Sequence, residues 1–353
     1  MRKTETLSHK TYAGLDVAKF LCAFLILFYH YFSEHGSLPG LLGEALSLYA
    51  VAVALFMTIS GFLLYNKLEG IDSRGERWSI VKKQVLRIYR IYLLWSVPYL
   101  LYTIFRWNWS SISVGFIIWE FQRWVFGSTF YTIWFMPMLA IGTLITFWFT
   151  EKLPNVVITV LGVLCWVIGA FSLTYQFIGN QIPGFTSFVE FENLWLGGAR
   201  GWLFYAFPLI LVGKYMVSYK DKMKPLPMAC LSCCCTIAML AEALLIRKVS
   251  GGHTGIDLTF MMIPTVFCIL GFLISLRLPG GRYCARMRKM STLIFMSQRL
   301  FLTVLPGIFP GLFNTYITVN PFMCFVVMCG GTVLFSLLIM QISKSKHYIR
   351  LLY

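Results

Sequence analysis

His30 and Glu34 stand four residues apart inside the apolar run 15–34. In a helix that spacing puts both side chains on one face. A neutral imidazole steadied by a carboxylate can take a proton from a hydroxyl, the work of a general base. Counted from Leu15, His30 lies about 22 Å along the helix, deep in any bilayer that the run crosses. The plainer reading is a hydrogen-bonded structural histidine near the far interface. Lys19 precedes His30 by eleven residues. At about 100° per residue this is almost the same face, about 16 Å away along the axis. Asp16 and Lys19, at i and i+3, also read as a surface ion pair with the lysine stem snorkelling.

Other ionisable residues fall in apolar runs, where each costs roughly 2.5–3.5 kcal/mol on insertion scales and so needs a partner or a cavity. Glu242, in the run 227–246, reaches nearly the depth of His30, so the two are candidates for a catalytic or proton-handling pair. Arg299, beside Gln298 and Ser297, is the deepest cation. Arg200 and Asp257 open two further runs and read as anchors or ion-pair partners on the substrate side. Arg87 and Arg90, at i and i+3 after Lys82 and Lys83, share a helix face and suit bidentate grip of phosphates. Their plainer reading is cytoplasmic positive charge. Ser60, in a Ser-Gly pair read as a turn, has no adjacent base to activate it as a nucleophile, so it reads better as a hydrogen-bonding group.

The elements that must hold these residues follow from composition. Of 353 residues 58% are hydrophobic and only 12% charged, where soluble domains carry roughly a quarter charged. A span needs about 20 apolar residues. Such runs occur at 15–34, 46–66, 86–105, 130–150, 155–175, 200–218, 227–246, 257–276, 290–309 and 319–342. The expected fold is therefore an all-α polytopic membrane bundle of about ten transmembrane helices. The stretch 110–128 reads as an interfacial or re-entrant helix. Lys and Arg crowd every second connection, and loops 35–45, 176–199 and 310–318 have none, so both termini are expected to be cytoplasmic. That bias accounts for most of the net charge of +16 and makes nucleic acid an unneeded explanation. The cysteines sit mostly in apolar runs, with no zinc-ligand spacing to His and no disulfide framework. No metal site and no removable signal peptide are expected. Residues 1–353 read as one transmembrane domain.

With these residues in view the chain resembles acyltransferase family 3 of bacterial membrane proteins. Lys19 and His30 match its basic-residue, ten-residue, His pattern, with Lys where Arg is commoner. Leu55-Phe56-Met57-Thr58-Ile59-Ser60-Gly61-Phe62-Leu63 resembles its second-span pattern. Arg87 and Arg90 match its paired arginines, and Ile133-Trp134-Phe135-Met136-Pro137 its aromatic motif. Some members carry Ser, a few aromatic or aliphatic residues, then His in a late span. Here Ser291 to Gln298 aligns, with Gln298 in the His position. Ala199 to Phe204, Pro208, Gly213, Glu242, Asp257 and Pro264 also resemble the membrane domain of the membrane-bound serine racemases of vancomycin resistance. There a cytoplasmic racemase follows, on the side where the basic tail Ser343 to Tyr353 is expected to emerge.

The resemblance implies acyl transfer in the bacterial cytoplasmic membrane. Acyl-CoA, acetyl-CoA first, would dock its phosphates on Arg87, Arg90 and Lys19, with Ser60 along its path. His30 would deprotonate a hydroxyl of a cell-envelope acceptor, oriented by Glu34 or Glu242. Trp134, Arg200, Asp257, Gln298 and Arg299 would line the substrate side. The rival expectation is a transporter-like domain that delivers L-serine to a cytoplasmic racemase. Against it, the sequence shows neither paired repeats nor interrupted helices in corresponding halves. A bare membrane anchor is a third reading, disfavoured by the intramembrane charge.

Overall fold

A computed structural model describes residues 12–35, 48–130, 132–252 and 255–353. Their regular structure is helical, with no strand among the described residues. The elements are α1 (Ala13–His35), α2 (Leu48–Leu68), α3 (Arg74–Phe105), α4 (Val114–Phe126), α5 (Phe135–Lys152), α6 (Asn155–Ser172), α7 (Phe185–Trp195), α8 (Phe207–Tyr219), α9 (Pro225–Ser250), α10 (Met262–Ser275), α11 (Arg282–Arg299), α12 (Pro310–Val319) and α13 (Pro321–Ser345). Among the described residues, eight helical segments are long and apolar enough to cross a membrane. The chain is a multi-pass membrane bundle. The other two predicted spans are helical but fall short: α10 has only 14 residues, and the 18 residues of α5, which end in Glu151 and Lys152, are not apolar enough over their whole length. The basic N-terminus (Arg2, Lys3, Lys10) and nearly all of loop 35–45 lie outside the described residues.

Two boundaries differ from the sequence reading in ways that matter. The third span begins at Arg74, capped by Ser73, so Arg87 and Arg90 lie inside α3 and do not open it. The helix continues through them because their long stems cover apolar surface while the charged heads reach out. Ser60 and Gly61 form no turn, since α2 runs unbroken through both. Ser60 Oγ donates to the carbonyl of Phe56 at 2.7 Å, one turn back.

Gly61 has a packing reason. A Cβ there would meet the Ile210 carbonyl oxygen at 2.5 Å, and one at Gly213 would meet the Thr58 oxygen at 2.2 Å. The two glycines let α2 and α8 touch backbone to backbone, the usual way for helices to associate where lipid removes the hydrophobic incentive. Over its membrane window α2 is 78% buried, against 22–56% for the other seven spans, so it is the central post of the bundle.

Three interruptions, invisible as breaks in the apolar runs, shape the interior. A π-helical turn, Trp202–Ala206, leads into α8. A second, Leu300–Val304, follows α11, which then ends in the single turn Leu305–Ile308. Between α9 and α10 the chain is irregular up to Met262. Irregular backbone at membrane depth survives only where protein satisfies it. Here Leu258 N–H donates to Thr174 Oγ1 at 3.1 Å, and Phe260 and Met261 N–H donate to the Glu242 carboxylate at 2.6 and 2.8 Å. The predicted span 257–276 is thus corrected at its start, because the helix begins only at Met262. The segment His347–Leu352 packs back on α3, where Trp95 Nε1 donates to the Leu352 carbonyl at 3.1 Å.

Candidate functional site

A cavity of about 230 Å³ opens among α1, α2, α5, α11 and the approaches to α8 and α10. His30, Glu34, Trp134, Arg200, Asp257 and Arg299 all line it. These residues are scattered over 270 positions of sequence (299 less 30, counted inclusively), and the fold brings them together.

One wall is built on α1 and α11. Arg299, with only 1% of its side chain exposed, points its guanidinium at two partners one turn apart on α1. Nη1 donates to both Glu34 oxygens, at 2.6 and 2.8 Å, and to Thr303 Oγ1 at 3.1 Å. Nη2 donates to His30 Nδ1 at 2.9 Å. The i, i+4 spacing of His30 and Glu34 is what allows one planar fork to reach both. Glu34 is 31% exposed.

The opposite wall is a second ion pair. Arg200 Nη2 donates to Asp257 Oδ2 at 2.6 Å, and the Tyr49 hydroxyl donates to Oδ1 at 3.0 Å. Asp257 beside it raises the Arg200 guanidinium further above its ordinary value, against the opposing effect of burial. Tyr49 stacks on Tyr29 with ring centroids 3.4 Å apart. Trp134 meets Tyr205 edge to face. Thr132 also lines the cavity, its hydroxyl buried with no hydrogen-bond partner among the described residues. Tyr29, Tyr49 and Thr132 carry no signal in the sequence; only the tertiary fold brings them here. Each arginine stands next to a π turn: Arg200 two residues before Trp202, Arg299 one before Leu300. π turns recur at functional sites because they re-aim side chains within an otherwise regular helix.

Three sequence candidates stand elsewhere. Glu242 is one: its carboxylate accepts from the Tyr175 hydroxyl and the two N–H groups that precede α10, so the suggested pairing with His30 does not form. Gln298 is fully buried, with Nε2 on the Phe295 carbonyl at 3.0 Å, and does not line the cavity; its neighbour Arg299 does. Ser60 is also outside the cavity lining.

Toward the other end of α1 lies a different cluster. Lys19, Arg87, Arg90 and Arg288 sit close enough to feel one another's charge. Arg288 grips Asp16 in a bidentate pair, Nε to Oδ1 at 2.8 Å and Nη2 to Oδ2 at 2.7 Å. Asp16 thus pairs with Arg288, 272 residues away, and Lys19, the partner expected from the sequence, stands close enough to feel its charge. Arg87, Arg90 and Arg288 are exposed.

A further buried carboxyl lies in α7. Glu192 is fully buried and accepts from Ser172 Oγ at 2.7 Å. Burial pushes its carboxyl up to about 7. Its backbone carbonyl takes the N–H groups of Leu196 and Gly198, just before Arg200.

Two amino-acid racemases of Enterococcus faecalis are each 24% identical to the chain, over 212 and 213 residues. The alignments cover 59% of this chain and only 30% and 28% of those relatives, so the chain spans less than a third of their length. No solved structure matches it. The family model described as an acyltransferase domain matches residues 12–341, nearly the whole chain, and the protein therefore belongs to acyltransferase family 3.

Proposed function

We propose that this membrane acyltransferase moves an acyl group, acetyl first, from cytoplasmic acyl-CoA to a hydroxyl of a cell-envelope acceptor, in the cytoplasmic membrane of a bacterium. The observation that carries the donor is the charge at the inner cluster: among the described residues, four cations, Lys19, Arg87, Arg90 and Arg288, gather around the carboxylate of Asp16. Exposed cations in excess on one patch favour a multiply charged anion, and coenzyme A carries phosphates. The alternation of basic and uncharged loops supports a cytoplasmic face for this cluster and for both termini. The thioester would then reach along α1 to the cavity, about 16 Å from Lys19 to His30. There His30 and Glu34 handle the acceptor's proton, and Trp134, Arg200 and Asp257 hold the acceptor.

The test is calorimetric titration of acetyl-CoA into the purified protein in detergent. Saturable binding weakened by Arg87→Ala/Arg90→Ala and largely preserved in His30→Ala is expected. No binding of acetyl-CoA or longer acyl-CoAs to folded protein overturns the reading.

A second reading, delivery of L-serine to a cytoplasmic racemase domain, draws on the two amino-acid racemase relatives and on the irregular backbone beside Asp257. Serine uptake into proteoliposomes separates the two, because the paired arginines have a role for a phosphate-bearing donor and none for serine.

A further inference from the structure

The contact between Arg299 and His30 constrains which residue can accept a proton. A guanidinium has donors only. Its Nη2 stands 2.9 Å from His30 Nδ1, so Nδ1 is the lone-pair nitrogen of that bond. A neutral imidazole has one N–H, which then belongs to Nε2. His30 in this state cannot take a proton at Nε2, which already holds one. It can take one at Nδ1 only by expelling the guanidinium and placing two cations side by side.

The guanidinium is not easily expelled. Arg299 is almost wholly buried, and its other terminal nitrogen is tied to both Glu34 oxygens and to Thr303. The cavity has a second carboxylate, Asp257, held through both oxygens as Glu34 is, in its case by Tyr49 and Arg200, but only 4% of its side chain is exposed. Glu34 is the more open of the two.

We infer that Glu34 accepts the acceptor's hydroxyl proton while His30 donates a hydrogen bond through Nε2–H to the acyl carbonyl oxygen, with Arg299 as the positioning residue that fixes this tautomer. The inference rests on the acyl-CoA reading above for the identity of the carbonyl. In the step, the hydroxyl oxygen attacks the thioester carbon and its proton passes to the Glu34 carboxylate. The carbonyl electron pair moves onto oxygen, where the His30 N–H meets the developing charge. Collapse breaks the C–S bond, and the departing thiolate takes the proton from Glu34. An ester and a free thiol result, and Glu34 is again a carboxylate. The arrangement exchanges the roles expected from the sequence, where His30 was the base and Glu34 its orienter.

The first measurement is nitrogen-15 NMR of the full chain in detergent, labelled at histidine. The chain has five histidines, and the spectrum of His30→Gln assigns the missing one. The expected result is a neutral His30 protonated at Nε2, in protein without any ligand. A neutral His30 protonated at Nδ1 overturns the inference. This readout does not depend on donor binding, so a failed acetyl-CoA titration and a failed tautomer assignment are separate results.

Turnover supplies the second test. Removing an oxyanion donor costs about 10²–10³ in rate. Glutamine offers an N–H near the Nε2 position but has no basicity. His30→Gln is therefore expected to keep at least about tenfold more transfer activity than His30→Ala, and Glu34→Gln to lose at least as much as His30→Ala. Equal loss in His30→Gln and His30→Ala, with a larger residue of activity in Glu34→Gln, returns the base to His30 and overturns the inference.

Discussion

The two ends of α1 treat charge differently. At the cavity, two arginines face two carboxylates, Arg299 with Glu34 and Arg200 with Asp257. At the other end, Lys19, Arg87, Arg90 and Arg288 face Asp16, the carboxylate paired there among the described residues. The first region is balanced within itself, with one member of each pair, Arg299 and Asp257, almost wholly buried; the second is largely exposed and short of anions. A balanced, buried set of charges holds its own geometry, as a reaction centre must. An unbalanced, exposed set leaves geometry to whatever anion arrives. The contrast separates positioning from capture, and one helix, α1, contributes to both through His30 and Lys19.

Substitutions can break this contrast, starting from the largest effect. Arg299→Ala leaves Glu34 without its main counter-ion in a partly buried wall, and losing one partner of a buried pair costs about 3–5 kcal/mol. A loss of that order in unfolding free energy, with loss of transfer activity, is expected in detergent. A similar stability loss in Arg87→Ala would erase the distinction between the regions.

Glu242→Gln comes next. It leaves one of two backbone N–H groups before α10 short of a charged acceptor, for about 1–3 kcal/mol of stability. Donor affinity should not change, because Glu242 touches neither cluster. A changed affinity for acetyl-CoA at unchanged stability would place Glu242 back among the functional residues.

Arg87→Ala/Arg90→Ala should weaken acetyl-CoA binding by about tenfold or more, which is about 1.4 kcal/mol. Its stability should stay within about 0.5 kcal/mol of the parent, as for other exposed positions. The binding loss should shrink as salt rises, since exposed charges are screened.

The smallest effect is a pH slope from Glu192, next to the strand of chain that carries Arg200. Its carboxyl sits at about 7 in the fold against an ordinary 4.5. Between those values the native state binds more protons than the unfolded state. Its contribution to stability is therefore complete below about pH 4.5 and is lost as pH rises through about 7. The slope from one group is at most about 1.4 kcal/mol per pH unit. Melting curves from pH 4.5 to 7.5 should lose this component in Glu192→Gln; an unchanged slope sinks the assignment.

Local pattern made part of this molecule legible. Apolar runs announce α1, α2, α6, α9 and α13, because a span in lipid must be apolar nearly all round. The four-residue step from His30 to Glu34 correctly places both on one face. The i, i+3 arginines of α3 and Lys19 do share one patch. What stayed hidden is pairing at long range. Nothing near Asp16 points to Arg288, and nothing near Asp257 points to Tyr49, since a charge in an apolar run shows that a partner exists but not which one. Equal depth made Glu242 look like a companion of His30, although depth says nothing about position around the bundle. The break before α10 was also hidden, because its residues are apolar enough to read as helix. The family match is wider than any of these motifs, covering residues 12–341.

The π turns beside Arg200 and Arg299 have one more consequence. Each closes its backbone ring with one residue more than an α turn does. Deleting a single residue from 202–206 would let that stretch relax into ordinary α-helix without disturbing α8 beyond it. A π turn absorbs its extra residue within one widened turn, so the chain on either side would keep nearly its place and the Gly61–Gly213 contact would hold. The side chains of the turn itself would be re-aimed, Tyr205 against Trp134 among them. The two turns are thus places where chain length, rather than side-chain identity, tunes the site, and related sequences that differ there by one residue would differ in the cavity and not in the fold.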